Sequence, residues 1–358
     1  MKNKHGANIF EISREYGFDL KDISDFSSNI NPMGASKRAK RYLIENIDLV
    51  STYPDTDYVG LKESIRDYSG AKTENILLFS GTTEGIVDYI KIINPKRAML
   101  LSPCYSEYER ELRKINSEIF YYNLMEDKEF KIDLEDLIYR LQKYGIDMLV
   151  FTNPNNPTGT ILKRDEIEEI LKNTDTKILL DETYVEFTDT GVFSSIPLTD
   201  KYENLLVMRG VSKFFAMPGI RLGYGVSSSK FVKDAVNKEE ILWNINIFAD
   251  IMGRESFLDK QYQEGVYEYI SSQRQFMERE LKKVDDIKVF KSYGNFILSK
   301  ILKGKSAAEL REHLLKGGMV IRDCSNFKNL NESYFRFCIL EKDENKRLLE
   351  GIKEFFQK

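Results

Sequence analysis

Lys213 is the residue whose surroundings in the sequence most clearly suggest chemistry. It follows an apolar run and precedes two aromatic residues and a Pro–Gly pair, so we expect it on a constrained loop. Desolvation and nearby cations such as Arg221 lower the pKa of a lysine, which a Schiff-base lysine requires. Most lysines, by contrast, are solvated surface charges. The position of Lys213 after a predicted buried strand favours the chemical interpretation.

Three further polar segments follow predicted buried strands: residues 80–85, residues 153–159 and residues 181–184. The carboxyl ends of parallel strands meet at one edge of a sheet, which is where α/β proteins bind ligands. The first segment, Ser-Gly-Thr-Thr-Glu-Gly, opens a predicted helix, and its small residues would let backbone N–H groups approach an anion. An ordinary helix cap has a similar sequence, so this segment alone decides nothing.

The other two segments each have a functional and a structural interpretation. Residues 153–159 contain three asparagines, two prolines and a glycine. This is either good turn chemistry or a rigid support for an asparagine side chain that faces a ligand. Asp181 ends a predicted strand, where a buried carboxylate is costly unless it meets a cation or hydrogen-bond donors. A helix N-cap is the structural alternative for Asp181.

Strands and helices alternate along the part of the chain that carries these segments. Apolar runs predict strands at 76–79, 98–101, 148–152, 178–180 and 205–208. Amphipathic helices are predicted between them, at 83–92, 106–115, 134–143 and 164–172. This alternation predicts an α/β fold with a mainly parallel sheet.

The pattern changes from about Asn237, where a long helical tract through Leu281 begins. Short strands at 287–290, 295–300, 320–322 and 334–339 and a helix at 307–315 follow it and predict a smaller α+β domain. We therefore expect an N-terminal arm with part of the small domain at 1–47, a large domain at 48–250 and the C-terminal small domain at 251–358.

The composition narrows the class of protein. The chain has 358 residues, with 53 basic and 57 acidic side chains and a formal net charge of −4, which argues against nucleic acid or an anionic membrane as the main partner. Three scattered cysteines and two histidines predict neither a disulfide framework nor a metal centre. The N-terminus has no apolar signal core and no apolar run reaches membrane-spanning length, so we expect a cytoplasmic protein.

Three motifs together carry a resemblance to a known family. Asn-Asn-Pro-Thr-Gly at 155–159, Asp-Glu-x-Tyr at 181–184 and Ser-Lys-(x)7-Arg-x-Gly from Ser212 resemble, in this order and spacing, the class I/II aminotransferases of fold type I. The resemblance extends over nearly the whole chain. It implies pyridoxal 5'-phosphate (PLP) as cofactor, a large domain with a mainly parallel sheet plus a smaller α+β domain, and a homodimer.

The resemblance also assigns roles to individual positions. Lys213 would form a Schiff base with PLP and later shuttle protons, and Asp181 would pair with the pyridinium nitrogen so that the ring accepts electrons. The other cofactor contacts would be Asn156 and Tyr184 at the ring hydroxylate, Tyr105 on the ring face, Gly81, Thr82 and Arg221 at the phosphate, and Tyr53 reaching the phosphate from a partner subunit. The family usually has serine or threonine three residues before the lysine. Gly210 stands there, so Ser212 or backbone groups would replace one contact.

Within this family the chain most resembles the threonine-phosphate decarboxylases. The matching segments are residues 5–8, 25–34, 53–58, 213–219 and 320–326. The resemblance implies decarboxylation of L-threonine O-3-phosphate to aminopropanol phosphate in cobalamin biosynthesis, with serine phosphate as a further substrate. Two alternatives stay open, transamination of the histidinol-phosphate aminotransferase type and a non-catalytic PLP-binding protein. No motif separates decarboxylation from transamination on physical grounds.

A phosphorylated amino acid carries two anionic groups, a carboxylate and a phosphate. Arg322 and Arg336 each lie at the end of an apolar strand-like run in the predicted small domain, and guanidinium groups form bidentate clamps on such anions. Structural ion pairs are the alternative for both arginines. His5 and Asn31 would add hydrogen-bond donors from the N-terminal arm. The sequence leaves open which arginine binds the carboxylate and which the phosphate.

Overall fold

A seven-stranded sheet lies at the centre of the larger part of the molecule. The computed structural model describes residues 8–239 and 241–357. In chain order the strands are β1 (Ser24–Asp25), β2 (Ile76–Phe79), β3 (Arg97–Ser102), β4 (Glu118–Asn123), β5 (Met148–Thr152), β6 (Lys177–Asp181), β7 (Leu205–Gly210), β8 (Gly223–Val226), β9 (Ile287–Val289), β10 (Phe296–Ile301), β11 (Met319–Val320), β12 (Arg322–Asp323) and β13 (Tyr334–Cys338).

The large sheet has the strand order β2-β8-β7-β6-β5-β3-β4. Strand β8 is antiparallel to both of its neighbours, and the other neighbouring pairs are parallel. Every residue of β2, β5, β7 and β8 is buried. Alternate residues of β2 enter different cores, Ile76 and Leu78 on one face and Leu77 and Phe79 on the other. Burial on both faces explains why most of these strands are continuous apolar runs in the sequence.

Helices cover the faces of the sheets. They are α1 (Ile9–Tyr16), α2 (Lys37–Glu45), α3 (Val59–Ser69), α4 (Thr82–Ile93), α5 (Ser106–Lys114), α6 (Leu134–Lys143), α7 (Arg164–Asn173), α8 (Thr190–Phe193), α9 (Lys230–Glu239), α10 (Ile247–Phe257), α11 (Lys260–Leu281), α12 (Ala307–Leu315) and α13 (Lys342–Gln357). Side chains of Ser36, Asp133 and Ser306 accept hydrogen bonds from the first turns of α2, α6 and α12, which fixes where these helices begin. No helix in the described ranges is both long enough and apolar enough to cross a membrane.

The C-terminal part contains an antiparallel sheet with the order β12-β13-β10-β9. Next to it, β1 of the N-terminal arm pairs in parallel with β11, with Ser24 opposite Met319. The chain then runs toward the loop after β7, where the backbone N–H of Asn31 donates to the carbonyl of Lys213 at 3.1 Å. The N-terminal arm therefore joins the C-terminal sheet to the loop that carries Lys213.

The predicted α/β class with a mainly parallel sheet is confirmed, but two strands of the large sheet were not predicted. Strand β4 is an edge strand whose residues are mostly half-buried or exposed, and its short run of Ile, Phe and two Tyr was not assigned to a strand. Strand β8 contains two glycines, which are unusual in a strand interior. A Cβ at Gly223 would lie 2.5 Å from the backbone nitrogen of Thr82, so close packing against the start of α4 requires glycine there.

The prediction of one helical tract from about Asn237 through Leu281 is wrong. Helix α9 ends at Glu239, and two further helices follow as separate elements. The side chains of Asn246 and Asp259 accept hydrogen bonds from the first turns of α10 and α11. Such caps start a new helix rather than continue an old one. The expected domain boundaries near residues 47 and 250 stay predictions.

Candidate active site

A cavity of about 350 Å³ lies between the carboxyl edge of the large sheet and the C-terminal antiparallel sheet. It gathers side chains from the ends of β5 and β6, from the loop after β7, from β12 and β13, and from the N-terminal arm. The predicted residues that line it are Thr82, Tyr105, Asn156, Asp181, Tyr184, Ser212, Lys213, Arg221, Arg322 and Arg336. Segments far apart in the sequence therefore meet at one site.

Lys213 is held by the N-terminal arm. Its Nζ atom donates a hydrogen bond to the carbonyl of Ser28 at 2.7 Å. Burial, together with the positive charge of Arg336, lowers the pKa of Lys213 to about 8. An amine with this pKa keeps a much larger neutral fraction near physiological pH than an ordinary lysine does, and the neutral form is the nucleophile.

Asp181 ends β6 and is buried beneath the cavity. Its Oδ2 accepts from the hydroxyl of Tyr108 at 2.6 Å, and its Oδ1 accepts from the backbone N–H of Thr183 at 2.9 Å. Burial raises the pKa of the Asp181 carboxyl, and these hydrogen bonds oppose the rise. The bond to Thr183 is a local turn contact, as the capping alternative expected, yet the carboxylate also faces the cavity. A cation placed there would stabilise the buried charge.

An anion-binding cradle lies at the start of α4. Gly81, the N-cap residue, has a φ of 89°, and among the described residues no side chain caps this helix. A Cβ at Gly81 would lie 2.2 Å from Nη2 of Arg221, so only glycine lets this guanidinium approach the helix N-terminus. The backbone N–H groups of a helix N-terminus and a guanidinium at one point suit a phosphate group.

The structure gives a physical reason for Gly210, where the resemblance predicted a hydroxyl residue. A Cβ at this position would lie 2.7 Å from Cγ2 of Thr82 and 3.2 Å from the carbonyl oxygen of Leu222. The Thr82 side chain therefore occupies the space that a side chain at position 210 would need. Thr82 and Ser212, which both line the cavity, are the hydroxyl residues left on this side.

The asparagine-rich loop divides its side chains between two tasks. Asn153 exchanges hydrogen bonds with the backbone of Leu162, and Asn155 donates to the carbonyl of Pro103 and to Thr158. These two amides hold the turn. Asn156 lines the cavity instead, and its Oδ1 accepts from Nη1 of Arg336. Asn153 and Asn155 thus support the turn, whereas Asn156 lies where a ligand contact was predicted.

Arg322 and Arg336 lie directly opposite each other on β12 and β13, so both side chains project from the same face of the sheet. Like charges in this position are destabilising unless an anion lies between them. Arg336 is buried, donates to the carbonyl of Ser27 at 2.6 Å, and keeps a buried Nε without an acceptor among the described residues. Arg322 donates to Oδ1 of Asn326 at 2.8 Å. These contacts are to amide and carbonyl oxygens, not to the carboxylates that structural ion pairs would require.

Two predicted site residues lie away from the cavity, and one cannot be placed. Asn31 is buried, and its amide donates to the carbonyl of Phe214 at 2.9 Å and to Tyr262 at 3.0 Å. These contacts brace the Lys213 loop, and the predicted contact of Asn31 with the substrate stays a prediction. Tyr53 is 75% exposed and stacks on Trp243, with 4.3 Å between ring centroids. His5 lies outside the described residues.

Several cavity residues were not predicted from the sequence. Tyr108 supports Asp181 from α5, and its spacing of three residues from Tyr105 could have suggested that both face the site. Lys328 lines the cavity, with its Nζ 3.2 Å from the centre of the Tyr121 ring. Ser28 contributes only a backbone carbonyl to Lys213, for which no sequence signal exists.

The donor set fits PLP. Arg221 and the start of α4 suit the phosphate, Asp181 suits a protonated ring nitrogen, and Tyr105 offers an aromatic face in the same cavity. Tyr184 has its hydroxyl at the cavity wall, where it accepts from Nδ2 of Asn29 at 3.2 Å. The Oδ1 of Asn29 is buried without a donor in the described part of the chain, which leaves one polar atom for a bound group to satisfy.

Comparison with known proteins gives matches over nearly the full length of the chain. The family model for aminotransferase class I and II matches residues 21–352. A putative threonine-phosphate decarboxylase from Caldanaerobacter subterraneus subsp. tengcongensis is 36% identical over 99% of this chain and 94% of that protein. The adenosylcobalamin biosynthesis bifunctional protein CobDQ of Leptospira interrogans is 31% identical over 99% of this chain and 41% of that protein.

A solved structure is also similar. The crystal structure of the histidinol-phosphate aminotransferase from Clostridium acetobutylicum superimposes with a TM-score of 0.87 and 33% sequence identity. The superposition covers 94% of this chain and 99% of that chain. Similarity at this level extends over both sheets that border the cavity.

Proposed function

The chain belongs to the aminotransferase class I and II family, and from this premise we propose that it is a PLP-dependent decarboxylase of L-threonine O-3-phosphate. The product is aminopropanol phosphate. Support comes from the 36% identity with a putative threonine-phosphate decarboxylase and from the similarity to a bifunctional protein of adenosylcobalamin biosynthesis. Serine phosphate is a second candidate substrate, because a pocket discriminates one methyl group by only about 1–3 kcal/mol.

The observation that carries the proposal is the cross-strand pair Arg322 and Arg336 in the same cavity as Lys213. Burial and the charge of Arg336 lower the pKa of Arg322, so the pair is unfavourable on its own. A substrate with two anionic groups relieves this repulsion and supplies bidentate acceptors to both guanidinium groups. Threonine phosphate has two such groups, a carboxylate and a phosphate.

We assign the two arginines by their position relative to Lys213. Arg336 is buried, contacts Asn156 and is a major cause of the lowered pKa of Lys213, so it binds the carboxylate, which is attached to the reacting carbon. Arg322 is only partly buried and shares the cavity with Lys328 and Asn326. These three residues bind the phosphate, at the far end of the substrate.

On the cofactor side, PLP when bound supplies an electron sink for the bond that breaks at Cα. Asp181 keeps the ring nitrogen protonated, and Tyr108 and Thr183 hold the Asp181 carboxylate in place. Gly81, Thr82, Ser212 and Arg221 hold the cofactor phosphate. Tyr105 would offer its aromatic face to the ring, and Asn156 and Tyr184 would supply hydrogen bonds to the ring hydroxyl group.

Lys213 has a second task in this proposal, the return of a proton to Cα after carbon dioxide leaves. A general acid works best when its pKa lies near the working pH. The pKa of about 8 that burial and Arg336 impose on Lys213 meets this condition. The Ser28 carbonyl holds the amine at the cavity wall.

Transamination is the second candidate function, and one observation favours it. The chain is 33% identical to a histidinol-phosphate aminotransferase of known structure, with a TM-score of 0.87. An aminotransferase uses the same cofactor contacts but directs the Cα–H bond, rather than the Cα–carboxylate bond, for cleavage. The two reactions are separated by their products.

We also infer that the protein is a homodimer. Tyr53 is exposed in the single chain and does not line its own cavity, so its side chain is available to contact the cofactor phosphate of a second subunit. Exposed apolar side chains, which mark interfaces, are frequent near it in the chain and near its stacking partner Trp243: Ile44, Ile47, Val50, Val59, Ile241 and Leu242. Light scattering of the PLP-loaded protein should give twice the mass of one chain, and a monomer mass would contradict the inference.

The test of the reaction is a product analysis with three substrates. The PLP-loaded protein should release labelled carbon dioxide from carboxyl-labelled L-threonine O-3-phosphate, with an equal amount of aminopropanol phosphate. L-Threonine, which lacks the phosphate, is the matched control and should react at least about 100-fold more slowly, since Arg322 loses its charge-assisted bonds. Turnover of histidinol phosphate with 2-oxoglutarate, without release of carbon dioxide, would establish the second candidate. Bound PLP without turnover of any of these substrates would indicate a non-catalytic PLP-binding protein.

A further inference from the structure

The N-terminal arm contains a turn in which one carboxylate holds two successive serines. Oδ1 of Asp25 accepts from the backbone N–H of Ser27 at 2.9 Å and from the Ser27 hydroxyl at 2.6 Å. Its Oδ2 accepts from the hydroxyl of Ser28. Both oxygens of Asp25 are therefore used to shape residues 25–28.

The carbonyls of these two serines are directed at two cationic groups that line the cavity. The Ser27 carbonyl accepts from Nη2 of Arg336 at 2.6 Å, and the Ser28 carbonyl accepts from Nζ of Lys213 at 2.7 Å. Arg336 is almost completely buried, where its cationic side chain needs acceptors. One turn thus supplies a hydrogen-bond acceptor to each group, through the carbonyls of adjacent residues.

The position of the turn is fixed from outside as well. The backbone N–H of Cys338 on β13 donates to the carbonyl of Phe26 at 2.8 Å, and the amide of Asn295 donates to the carbonyl of Asn29 at 2.9 Å. These contacts set where the turn lies against the C-terminal sheet. Asp25 sets the direction in which its carbonyls point, because it binds the residues between those two anchors.

We propose that Asp25 is a positioning residue of the active site, which aims the Ser27 carbonyl at Arg336 and the Ser28 carbonyl at the Lys213 amine and so keeps the two cations apart. It touches neither substrate nor cofactor. The Ser28 carbonyl receives the amine whenever Lys213 is not bonded to the cofactor, and the Ser27 carbonyl holds the guanidinium where the substrate carboxylate arrives. The inference deepens the proposed function, since it rests on Lys213 as the cofactor-binding lysine.

The charges that face Lys213 determine the sign of the expected effect. They belong to Arg336, Arg221, Asp25 and Asp181. The thiol of Cys338 also lies near, but burial raises its pKa to about 12, so it is uncharged. The negative charge of Asp25 and the Ser28 carbonyl stabilise the ammonium form, whereas burial and the two arginines oppose it. Removal of Asp25 therefore lowers the pKa of Lys213 further, and the amine becomes neutral at a lower pH.

The experiment measures how fast the PLP-free protein takes up PLP as a function of pH, followed by absorbance. This rate depends on neutral Lys213, so in the wild type it should rise with pH through about 8. Asp25→Ala should move the midpoint to lower pH by roughly half a unit to one unit. It should also raise the substrate KM about tenfold, because the Ser27 carbonyl no longer holds the Arg336 guanidinium in position. Asp25→Asn keeps an oxygen for the Ser27 donors but loses the charge, so KM should stay near the wild-type value while the midpoint shifts by a smaller amount.

Asp189→Ala is the matched control. Asp189 also shapes a short turn, by accepting from the backbone N–H of Gly191 at 2.9 Å, but it is exposed and does not line the cavity. It should change neither the midpoint nor KM.

If both Asp25 variants keep the wild-type pH profile, the proposal is overturned. Asp25→Asn supplies this answer even if Asp25→Ala does not fold. If the wild type takes up no PLP at Lys213, the proposed function fails instead, so the two failures are distinguishable.

Discussion

The cofactor side and the substrate side of the cavity are built in different ways. On the cofactor side, Asn156, Asp181 and Lys213 follow or end β5, β6 and β7, which are neighbours in one sheet. On the substrate side, Arg336 of β13 meets the Ser27 carbonyl of the N-terminal arm, 309 positions away in the chain. The cofactor side is thus a set of local motifs on one sheet edge, and the substrate side exists only after distant segments have packed together.

This difference predicts different functional consequences. The cofactor side supplies chemistry that every amino-acid substrate needs, so damage there should lower kcat. The substrate side supplies charge complementarity to particular anions, so damage there should act on kcat/KM for particular ligands. The variants below test this division, from the largest expected effect to the smallest.

Asp181→Asn tests the cofactor side. An amide cannot hold a proton on the ring nitrogen, so kcat should fall by about 10²–10³-fold with little change in KM, as is usual when one preorganised electrostatic contact is removed. Tyr108→Phe is the matched control, because it removes one hydrogen bond to Asp181 but leaves the carboxylate, and about a tenfold loss is expected. Steady-state kinetics of both variants would contradict the assignment if Asp181→Asn kept the wild-type kcat.

Arg336→Lys tests the inner part of the substrate side. Lysine keeps the charge but loses the planar fork, so it cannot serve the carboxylate together with Asn156 and the Ser27 carbonyl. We expect kcat/KM for threonine phosphate to fall about 100-fold, while the PLP absorbance spectrum stays unchanged. A loss of bound PLP in this variant would mean that the two sides of the cavity are not separable.

Arg322→Lys tests the outer part, where a smaller effect is expected because Arg322 is only partly buried and Lys328 lies in the same cavity. KM for threonine phosphate and the inhibition constant of inorganic phosphate should each rise about tenfold, with kcat nearly unchanged. Arg110→Lys, at an exposed arginine paired with Glu107, should change neither constant. If Arg322→Lys affects glycine or acetate inhibition more than phosphate inhibition, the assignment of the two arginines is reversed.

The sequence was sufficient to predict most of the large sheet and most of the residues that line the cavity at its carboxyl edge. Strands β2 and β5 have the predicted bounds, because strands buried on both faces are uninterrupted apolar runs. The polar residues that directly follow these strands stand out in the sequence because the runs before them are apolar. Strand β8 was missed because its two glycines, needed for contact with the start of α4 and with β7, resemble a loop in the sequence.

The substrate side was predicted only in part. The two arginines were identified because each follows apolar residues, but their cross-strand pairing depends on the register of β12 and β13. Asn31 was predicted at the substrate from its motif, and only the structure shows that its amide donates to the carbonyl of Phe214 and to Tyr262. The carbonyls of Ser27 and Ser28 carry no side-chain signal, so only the packed structure reveals them.

The central claim is that Lys213 bears the cofactor, and covalent trapping tests it most directly. The PLP-loaded protein is reduced with borohydride, digested, and its peptides are examined by mass spectrometry, with Lys213→Ala as the control. We predict a phosphopyridoxyl group on Lys213 in the wild type, loss of the visible absorption band on reduction, and neither signal in Lys213→Ala. A phosphopyridoxyl group on another lysine of the wild type, or an absorption band that Lys213→Ala retains, would contradict the claim.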